Sequence, residues 1–402
     1  MKRNKSVCVI GLGYIGLPTA ALLANRNYKV HGVDVVQSTV DTINDGHIHI
    51  VEPELDIFVR SAVNSGNLKA SLTPQDSDIF IIAVPTPFHE GFVPNIDYVV
   101  SATKSIAPYV KKGNIVILES TSPVGTTDKV NEVLAENGVD VSSIYVAHCP
   151  ERVLPGKIMK ELVDNDRIVG GITPEATEAT VEFYKTFVSG EVLKTDAKTA
   201  EMAKLTENSY RDVNIAFANE LSILCDKFGI NEWELIELAN RHPRVNILQP
   251  GAGVGGHCIA VDPWFIVHKG GKDAKIIRTA REVNNYKTEW VIEKIKKVAL
   301  KVENESGKKA KVACMGLAFK PDIDDLRESP ALYITKKLKA DGVDVLAVEP
   351  NIKSHNEFEI VEDTKAIEAA DVVVFLVAHK EFKGIRIFGK EVLDFCGITN
   401  IS

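Results

Sequence analysis

The sequence lacks the features that mark membrane proteins, disulfide-stabilised proteins and zinc proteins. Glycines interrupt the apolar stretch that follows the basic residues 1–5, and no later run approaches the roughly 18 apolar residues that cross a bilayer. The six cysteines form no Cys-x-x-Cys pair and no Cys/His cluster at zinc spacing. We therefore predict a cytoplasmic protein without a membrane partner, a disulfide framework or a bound metal.

Positive charge is also scarce, since 47 Lys and Arg residues stand against 55 Asp and Glu residues and give a net charge of -8. Nucleic-acid surfaces need clustered basic side chains, so we expect no nucleic-acid partner. An anionic ligand must instead meet a local basic pocket. With 45% hydrophobic and 25% charged residues in a chain of 402, the composition is that of a globular protein with two or three domains.

A glycine-rich turn follows the first predicted strand, at 6–10. The turn has the pattern Gly-x-Gly-x-x-Gly, formed by Gly11, Gly13 and Gly16, and a predicted helix and a second strand come after it. In dinucleotide-binding folds these glycines make the turn, admit the pyrophosphate and allow close packing of helix and strand. Asp34 ends the second strand, where a carboxylate binds the ribose hydroxyls and repels a 2′-phosphate. The pattern therefore predicts NAD binding.

Further buried strands are predicted at 79–84, 115–119 and 144–147, each between helical patterns. They predict a doubly wound α/β domain that extends to about residue 195. The segments 84–87 and 119–127 follow strand ends and are rich in Ser, Thr and Pro. Their hydroxyls could reach the nicotinamide half of the cofactor, although these residue types also form turns that have no further function.

A long helix is predicted over 199–228, because this stretch has neither proline nor glycine and Gly229 suits its end. Lys204, Asn208 and Arg211 fall on one face of that helix. Two cations and an amide could bind a polyol and its phosphates. A solvated polar face is the more frequent meaning of such a stripe.

Cys258 lies in a loop that contains four glycines within 250–258, and Asp262 follows shortly after it. Glycines let the backbone approach a ligand closely, which favours a functional loop. The pattern is compatible with a nucleophilic cysteine. Most free cysteines are inert buried residues, so the local pattern leaves both readings open.

The pattern of the first predicted strand and turn recurs near the end of the chain, where residues 312–317 are similar to residues 7–12. A polar stretch at 303–309 precedes this second unit, and we interpret it as a linker. This second unit lacks the second and third glycines of the Gly-x-Gly-x-x-Gly pattern. We predict an α/β fold with two doubly wound Rossmann-like domains joined by a long central helix and a helical segment. The predicted domains are an NAD-binding domain at 1–198, a central helical domain with the cysteine loop at 199–302, and a C-terminal Rossmann-like domain at 303–402.

Taken together, these motifs identify the chain as resembling the UDP-glucose/UDP-N-acetylmannosamine dehydrogenase family over essentially its whole length. Six motifs occur in family order: Gly-Leu-Gly-Tyr-Ile-Gly at 11–16, Glu-Ser-Thr-Ser-Pro-Val-Gly at 119–125, Cys-Pro-Glu-Arg at 149–152, Lys-Leu-Thr-Glu-Asn at 204–208, Gly-Gly-His-Cys at 255–258 and Phe-Lys-Pro-Asp at 319–322. One departure is Ala252, where relatives carry proline.

The resemblance implies a four-electron oxidation of a sugar C6 alcohol to a carboxylate, with NAD as the cofactor. It implies that Cys258 forms a thiohemiacetal and then a thioester. Lys204, Asp262 and a water would handle the proton of the first oxidation, and Asn208 would bind the same oxygen. Glu151, with a water near Thr121, would act as the base in thioester hydrolysis.

The resemblance also implies that 199–302 is the dimerisation domain and that 303–402 binds the UDP-sugar. It further implies the residues that contact the two ligands. For NAD they are Gly11, Gly13, Tyr14, Ile15, Gly16, Asp34, Thr86, Thr121, Thr127 and Arg327. For the UDP-sugar they are Arg152, Val153, Lys204, Asn208, Arg211, His242, Arg244, Gly255, Phe319 and Lys320.

The segments 241–247 and 258–265 are similar to family members that act on UDP-N-acetyl-D-mannosamine, so we expect this substrate, oxidised as a precursor of surface polysaccharide. The alternatives are UDP-N-acetylglucosamine or UDP-glucose, and, from another class, a two-electron 3-hydroxyacid dehydrogenase, which does not need Cys258. Family members dimerise through the long helix. We therefore expect a homodimer, although a helix apolar on several sides can also be the buried spine of one subunit.

Overall fold

A computed structural model of the chain describes residues 5–256 and 258–400, with Glu90 and Asn400 described by their backbone alone. Residues 1–4, which belong to the basic start of the chain, and His257 of the cysteine loop lie outside the described residues. The chain forms two compact units, Met1–Thr206 and Glu207–Ser402. None of the helices in the described ranges has both the length and the apolar character needed to cross a bilayer.

The first unit is built on an eight-stranded sheet. Several of its strands are short runs of Ile, Val, Leu and Phe that are buried along their whole length, as expected for strands covered on both faces. The strand order is β10-β9-β8-β7-β4-β1-β2-β3, and β9 pairs antiparallel with β8 while the other pairs are parallel. The strands are β1 (Ser6–Ile10), β2 (Lys29–Val33), β3 (Leu68–Ser71), β4 (Ile79–Ile82), β7 (Ile115–Leu118), β8 (Tyr145–His148), β9 (Arg167–Gly171) and β10 (Val192–Asp196), and a separate hairpin pairs β5 (Phe88–His89) with β6 (Val93–Pro94).

Helices cover both faces of this sheet and enclose a separate apolar core on each side. The chain order reverses between β1 and β4, so the carboxyl ends of these strands flank the crevice in which doubly wound folds bind ligands. The helices are α1 (Gly16–Asn25), α2 (Gln37–Asn44), α3 (Leu55–Asn64), α4 (Asp97–Ile106), α5 (Thr126–Glu136), α6 (Ile158–Asp164) and α7 (Pro174–Tyr184).

The predicted long helix is confirmed as α8 (Ala197–Phe228). It begins after Asp196, whose carboxylate accepts hydrogen bonds from the Thr199 backbone N–H and hydroxyl at 3.0 and 2.6 Å. It ends before Gly229, which adopts a φ of 69° that a side chain would disfavour. Both boundaries therefore follow from local capping.

The second unit contains a parallel four-stranded sheet in the order β12-β11-β13-β14, again with a core on each face. Its strands are β11 (Lys311–Met315), β12 (Asp344–Val348), β13 (Val372–Phe375) and β14 (Glu391–Asp394), and its helices are α9 (Glu232–Ala239), α10 (Asp262–Gly270), α11 (Lys275–Ser306), α12 (Pro330–Ala340) and α13 (Asp363–Ala369). Short 3-10 turns in the two units are Glu90–Phe92, Ala107–Tyr109, Val141–Ser143, Gly271–Asp273, Lys380–Phe382 and Ile398–Asn400.

The predicted fold class is confirmed, and the predicted linker at 303–309 is wrong for its first half. The helix α11 continues through Ser306 and ends at Gly307, which has a φ of 69°. The segment is polar because this last turn of the helix is largely exposed to solvent, not because the helix has ended. Only the short segment between Gly307 and β11 is a connection.

Candidate active site

The glycine-rich turn between β1 and α1 has the geometry of a phosphate site. Gly11 has a φ of 91°, and a Cβ there would lie 2.7 Å from the Ala83 carbonyl oxygen. A Cβ on Gly16 would lie 1.8 Å from the Gly11 carbonyl oxygen. At Gly13, by contrast, no atom of the described residues lies within 4 Å of the Cβ position. The turn is thus closed on two sides and open at Gly13, beside the N-terminus of α1, where a pyrophosphate is stabilised.

Asp34 follows β2 and lies beside this turn. Its carboxylate accepts backbone hydrogen bonds from Leu12 and Val36, both at 3.0 Å. These two bonds hold the carboxylate against the turn, and a carboxylate has lone pairs left for ribose hydroxyls. Tyr14 and Ile15, also predicted as cofactor contacts, lie half-buried in the same turn. The open approach at Gly13 and this acid fit NAD.

The loops after β4 and β7 are joined at the same edge of the sheet. The Thr86 hydroxyl donates to the Thr121 carbonyl oxygen at 2.6 Å, and the Ser120 hydroxyl donates to the Val84 carbonyl oxygen at 2.7 Å. The two loops lie close together because β4 and β7 are neighbours in the sheet, and these bonds join them. The structure therefore brings Thr86 and Thr121 into one place.

Thr127 has a partner that the sequence analysis did not single out. The Glu201 carboxylate on α8 accepts hydrogen bonds from the backbone N–H and hydroxyl of Thr127 at 2.7 and 2.6 Å, and from the Gly125 N–H at 2.6 Å. A carboxylate at the start of α5 satisfies N–H groups that the helix leaves without partners. Glu201 thus holds the turn that carries Thr127.

Glu151 lies in a group of four buried residues that we call the acid–arginine cluster: Glu119, Glu151, Arg167 and Tyr184. Arg167 Nη1 donates to Glu151 Oε2 at 2.6 Å, and the side chains of this pair are 1% and 5% exposed. The Tyr184 hydroxyl donates to Glu119 Oε1 at 2.6 Å. Arg167 also lies over the Tyr184 ring, with 5.6 Å between the guanidinium carbon and the ring centroid. The guanidinium is thus the buried counter-ion of the Glu151 carboxylate, in a place that water does not reach.

Burial and the charge of Glu151 raise the pKa of Glu119 to about 7. Within the described residues Glu119 Oε2 has no hydrogen-bond partner. The Glu119 carboxyl therefore takes up a proton near neutral pH. Burial lowers the pKa of nearby His148 to about 3, because it disfavours the charged form of the imidazole.

We predict that Glu119→Gln changes how stability depends on pH. The unfolded carboxyl ionises near 4.5 and the folded one near 7, so the folded state holds the extra proton between these values. Glutamine has the shape of a protonated glutamate and does not titrate. Relative to the glutamine variant, the free energy of unfolding of the wild type should therefore fall with rising pH, by up to about 1.4 kcal/mol per pH unit.

Urea denaturation of both proteins from pH 4.5 to 8 measures this difference. The contribution of His148 runs the other way and cancels, because both proteins contain it. A difference in free energy that stays constant across this range would contradict the prediction.

In the second unit, Asn208 and Asp262 form a buried pair. Asn208 Nδ2 donates to Asp262 Oδ2 at 2.5 Å, and the two residues are 6% and 3% exposed. Asp262 is the first residue of α10, and its N–H donates to the Cys258 carbonyl oxygen at 2.8 Å. Cys258 therefore sits at the N-terminal end of α10, where negative charge is favoured. The i, i+4 spacing places Lys204 one turn before Asn208 on α8.

Cys258 differs from the other cysteines in its exposure. All six lie within the described part of the chain, and Cys258 alone is exposed, while four are buried and Cys396 is intermediate. The reading of Cys258 as an inert buried thiol is wrong. An exposed thiol in a glycine-rich loop can meet a substrate.

The cysteine loop is held by buried polar contacts and by close packing. The Gly251 N–H donates to Asn219 on α8 at 2.9 Å, and the Thr288 hydroxyl donates to the Ala252 carbonyl oxygen at 3.1 Å. A Cβ on Gly255 would lie 2.4 Å from the Glu328 carbonyl oxygen and 3.0 Å from Phe319 Cβ. The loop therefore needs glycine at 255 to pack against Phe319. Ala252 is buried in the core, so the absence of proline there leaves the loop anchored.

The remaining predicted contacts are mostly at the surface. Arg327 donates to Asp325 from Nε and Nη2 at 2.9 and 2.6 Å, and His242 Nδ1 accepts the Arg244 N–H at 3.3 Å. Arg152 donates from Nη1 to the Asp166 carbonyl oxygen at 3.3 Å. Exposed predicted residues are Arg211, His242, Arg244, Lys320 and Arg327, and half-buried ones are Arg152, Val153, Lys204, Gly255 and Phe319.

Comparison with known proteins decides the family. The chain matches the models of the UDP-glucose/GDP-mannose dehydrogenase family over its NAD binding domain at residues 5–188, its central domain at 198–286 and its UDP binding domain at 313–398. The chain belongs to the UDP-glucose/GDP-mannose dehydrogenase family. It is accordingly an NAD-dependent oxidoreductase that takes a UDP-sugar.

Three relatives show how close the similarity is. The UDP-N-acetyl-D-mannosamine dehydrogenase of Campylobacter jejuni is 58% identical, with 98% of this chain and 100% of the relative covered. The NDP-N-acetyl-D-galactosaminuronic acid dehydrogenase of Ralstonia nicotianae is 51% identical, with coverage of 98% and 96%. The structure of the UDP-N-acetyl-mannosamine dehydrogenase Cap5O from S. aureus superposes with a TM-score of 0.88 at 43% identity, with coverage of 98% and 99%.

Proposed function

We propose that the protein oxidises UDP-N-acetyl-D-mannosamine at C6 to UDP-N-acetyl-D-mannosaminuronate, with two NAD per substrate. The observation that carries the chemistry is the exposed Cys258 at the start of α10, next to the buried Asn208–Asp262 pair. The choice of sugar rests on the name of the relative that is 58% identical. A role in making surface polysaccharide precursors in the cytoplasm belongs to the same proposal and rests on the resemblance.

The first oxidation removes a hydride from C6 and a proton from its hydroxyl. We assign the proton to Lys204 and Asp262 through a water, and the binding of the developing oxyanion to Asn208. Asn208 Nδ2 is fixed by Asp262, which orients the amide without a loop having to move. When bound, NAD accepts one hydride in each oxidation, so two NADH form per uronate.

The second oxidation begins when the Cys258 thiolate adds to the aldehyde carbon and forms a thiohemiacetal. Loss of the second hydride from that carbon leaves a thioester, and water then releases the carboxylate and the thiol. We assign the base for this water to Glu151, together with the Thr121 loop. Arg167 Nη1 donates to Glu151 Oε2 at 2.6 Å and so fixes the position of this carboxylate.

The ligand contacts and the domain limits are part of this proposal. The cofactor contacts are the turn at 11–16, Asp34, Thr86, Thr121, Thr127 and Arg327, and the UDP-sugar contacts are Arg152, Val153, Lys204, Asn208, Arg211, His242, Arg244, Gly255, Phe319 and Lys320. The proposed domains remain 1–198, 199–302 and 303–402.

We predict that the purified protein, assayed with NAD and each of four UDP-sugars, turns over the N-acetylmannosamine compound with the highest kcat/KM. The others are the N-acetylglucosamine, N-acetylgalactosamine and glucose compounds, and the galacto compound is included because of the Ralstonia relative. NADH should form at two equivalents per uronate. Preference for another sugar would contradict the substrate, and one equivalent with an aldehyde or ketone product would contradict the four-electron scheme.

We also propose a homodimer through α8. One side of this helix carries large apolar side chains that the rest of the chain leaves exposed: Tyr210 at 69%, Phe217 at 54%, Leu224 at 38% and Phe228 at 63%. Such a stripe fits the same stripe of a second copy. Sedimentation equilibrium at micromolar concentration tests this proposal, and a monomer would contradict it.

A further inference from the structure

Each of the two Rossmann-like sheets has an acidic residue directly after its second strand, but the two carboxylates have different hydrogen-bond partners. In the first unit Asp34 follows β2 and accepts one N–H from the glycine turn, that of Leu12. In the second unit Glu349 follows β12 in the same way and accepts two N–H groups after Gly316, those of Leu317 and Ala318, at 2.8 and 2.9 Å. Asp34 is half exposed, whereas Glu349 is 1% exposed. Glu349 therefore has no open side for a ribose.

The remaining sites of the Glu349 carboxylate are filled by its own chain. Oε2 accepts a further hydrogen bond from His379 Nε2 at 3.0 Å, and Oε1 accepts two from Asn351, from its backbone N–H at 3.0 Å and its amide at 3.1 Å. Burial by itself raises the pKa of Glu349, but the hydrogen bonds of His379, Leu317 and Asn351 outweigh it and lower the pKa to about 2. Glu349 is thus a buried anion with five donors.

The partners of His379 fix its tautomer. Nδ1 receives the Asp322 backbone N–H at 3.0 Å and lies 3.1 Å from the Asn351 amide, so it is the acceptor nitrogen. Nε2 then carries the hydrogen that Glu349 accepts. Asp322, His379 and Glu381 have ligand atoms within 4.8 Å of one another, but Nδ1 is already engaged by N–H donors. The histidine is a connector between Glu349 and Asp322.

Hydrogen bonds to Glu349 and His379 therefore hold the two ends of the segment 317–322. Glu349 holds Leu317 and Ala318, and His379 holds Asp322, whose φ of 60° is unfavourable for a residue with a side chain. The Asp322 carboxylate also accepts the Lys380 N–H at 2.9 Å. Between these ends lie Phe319 and Lys320, and Phe319 packs against the glycines of the cysteine loop.

We propose that Glu349 and His379 are positioning residues, which hold the segment 317–322 in the conformation that presents Phe319 and Lys320 to the nucleotide-sugar. This inference rests on the proposed function, because it assumes that this segment contacts the UDP-sugar. Glu349 occupies the place of the ribose-binding acid of a dinucleotide site, but it is buried and holds the backbone of a loop that contacts a different ligand. Neither residue touches a ligand itself.

The test is the affinity of purified full-length variants for UDP, measured by titration calorimetry, together with KM for the UDP-sugar and for NAD. His379→Leu removes all three hydrogen bonds of the ring, with Glu349, the Asp322 N–H and the Asn351 amide. His379→Asn keeps an acceptor near the Nδ1 position, and His379→Gln keeps a donor near the Nε2 position. We expect His379→Leu to raise the Kd for UDP by about 10-fold, because the Asp322 N–H loses its acceptor and one end of the segment 317–322 is released. The two conservative variants should lie between it and the wild type.

The affinity for NAD separates a local effect from general damage, and should stay within about twofold of the wild type, since all the proposed NAD contacts except Arg327 belong to the first unit. The matched control is Thr335→Val on α12. Its hydroxyl is fully buried and donates to the Ala331 carbonyl oxygen at 2.8 Å, so this bond is not one of those that hold the 317–322 segment. This control should lower stability and leave the Kd for UDP unchanged.

An unchanged Kd for UDP in His379→Leu overturns the inference, and so does an equal rise in Thr335→Val. If His379→Leu fails to fold, the asparagine and glutamine variants decide by the same measure. A wild-type protein that neither binds UDP nor oxidises any UDP-sugar would instead refute the proposed function. The two failures are therefore distinguishable.

Discussion

Cys258→Ser should bind NAD and UDP-sugar with wild-type affinity but release uronate at least about 1000-fold more slowly. A serine hydroxyl is not ionised at neutral pH and adds to an aldehyde far less readily than a thiolate, so the covalent intermediate does not form. Removing the nucleophile of an enzyme that works through a covalent intermediate typically costs several orders of magnitude in kcat. Because Cys258 is exposed, the exchange should leave the fold unchanged.

Uronate release by the variant is measured by chromatography of the nucleotide products, and ligand binding by calorimetry. Cys396→Ser is a suitable control, since this thiol is half-buried in the last part of the chain, next to Asp394. The control should retain wild-type kcat. Full turnover by Cys258→Ser would contradict the thioester scheme, while loss of ligand binding would point to a damaged loop.

Arg167→Met should lower the free energy of unfolding by about 3–5 kcal/mol, because it leaves the buried carboxylate of Glu151 without its counter-ion. Arg167 lies at the start of β9 and is 1% exposed, and its Nη2 also donates to the Leu162 carbonyl oxygen at 3.2 Å. Water cannot replace the guanidinium at this position. Chemical denaturation followed by circular dichroism measures the change.

The matched control for this variant is Lys194→Met on the neighbouring strand β10. Lys194 also forms an ion pair, with 2.6 Å between Nζ and Glu178 Oε2, but the side chains are 47% and 57% exposed. Its loss should cost about 0–1 kcal/mol. The double variant Arg167→Met, Glu151→Leu should recover part of the stability, because no unpaired charge remains. Equal effects of Arg167→Met and Lys194→Met would contradict the burial argument.

The sequence was sufficient for features that depend on neighbours along the chain. The glycine turn at 11–16 and α8 were predicted close to their observed places, because steric limits on glycine and helix capping are local properties. The family motifs identified the relatives for the same reason, since each motif is a short local pattern. Where a local cue was ambiguous the prediction was wrong, as at 303–309, whose polar residues form the exposed last turn of α11.

The three-dimensional structure alone decided which distant residues meet. Nothing in the sequence near Arg167 points to Glu151, and nothing near Glu349 points to His379. Each of these residues lies on a strand or in the loop after one, and the strands come together only in the folded sheets. The same holds for the exposure of Cys258, which depends on how its loop packs against Phe319 and α11. The sequence by itself determined the turn, the long helix and the family. Tertiary packing determined the protonation of Glu119, the exposure of Cys258 and the pairing of Asn208 with Asp262, since burial and charge pairing are properties of the folded neighbourhood.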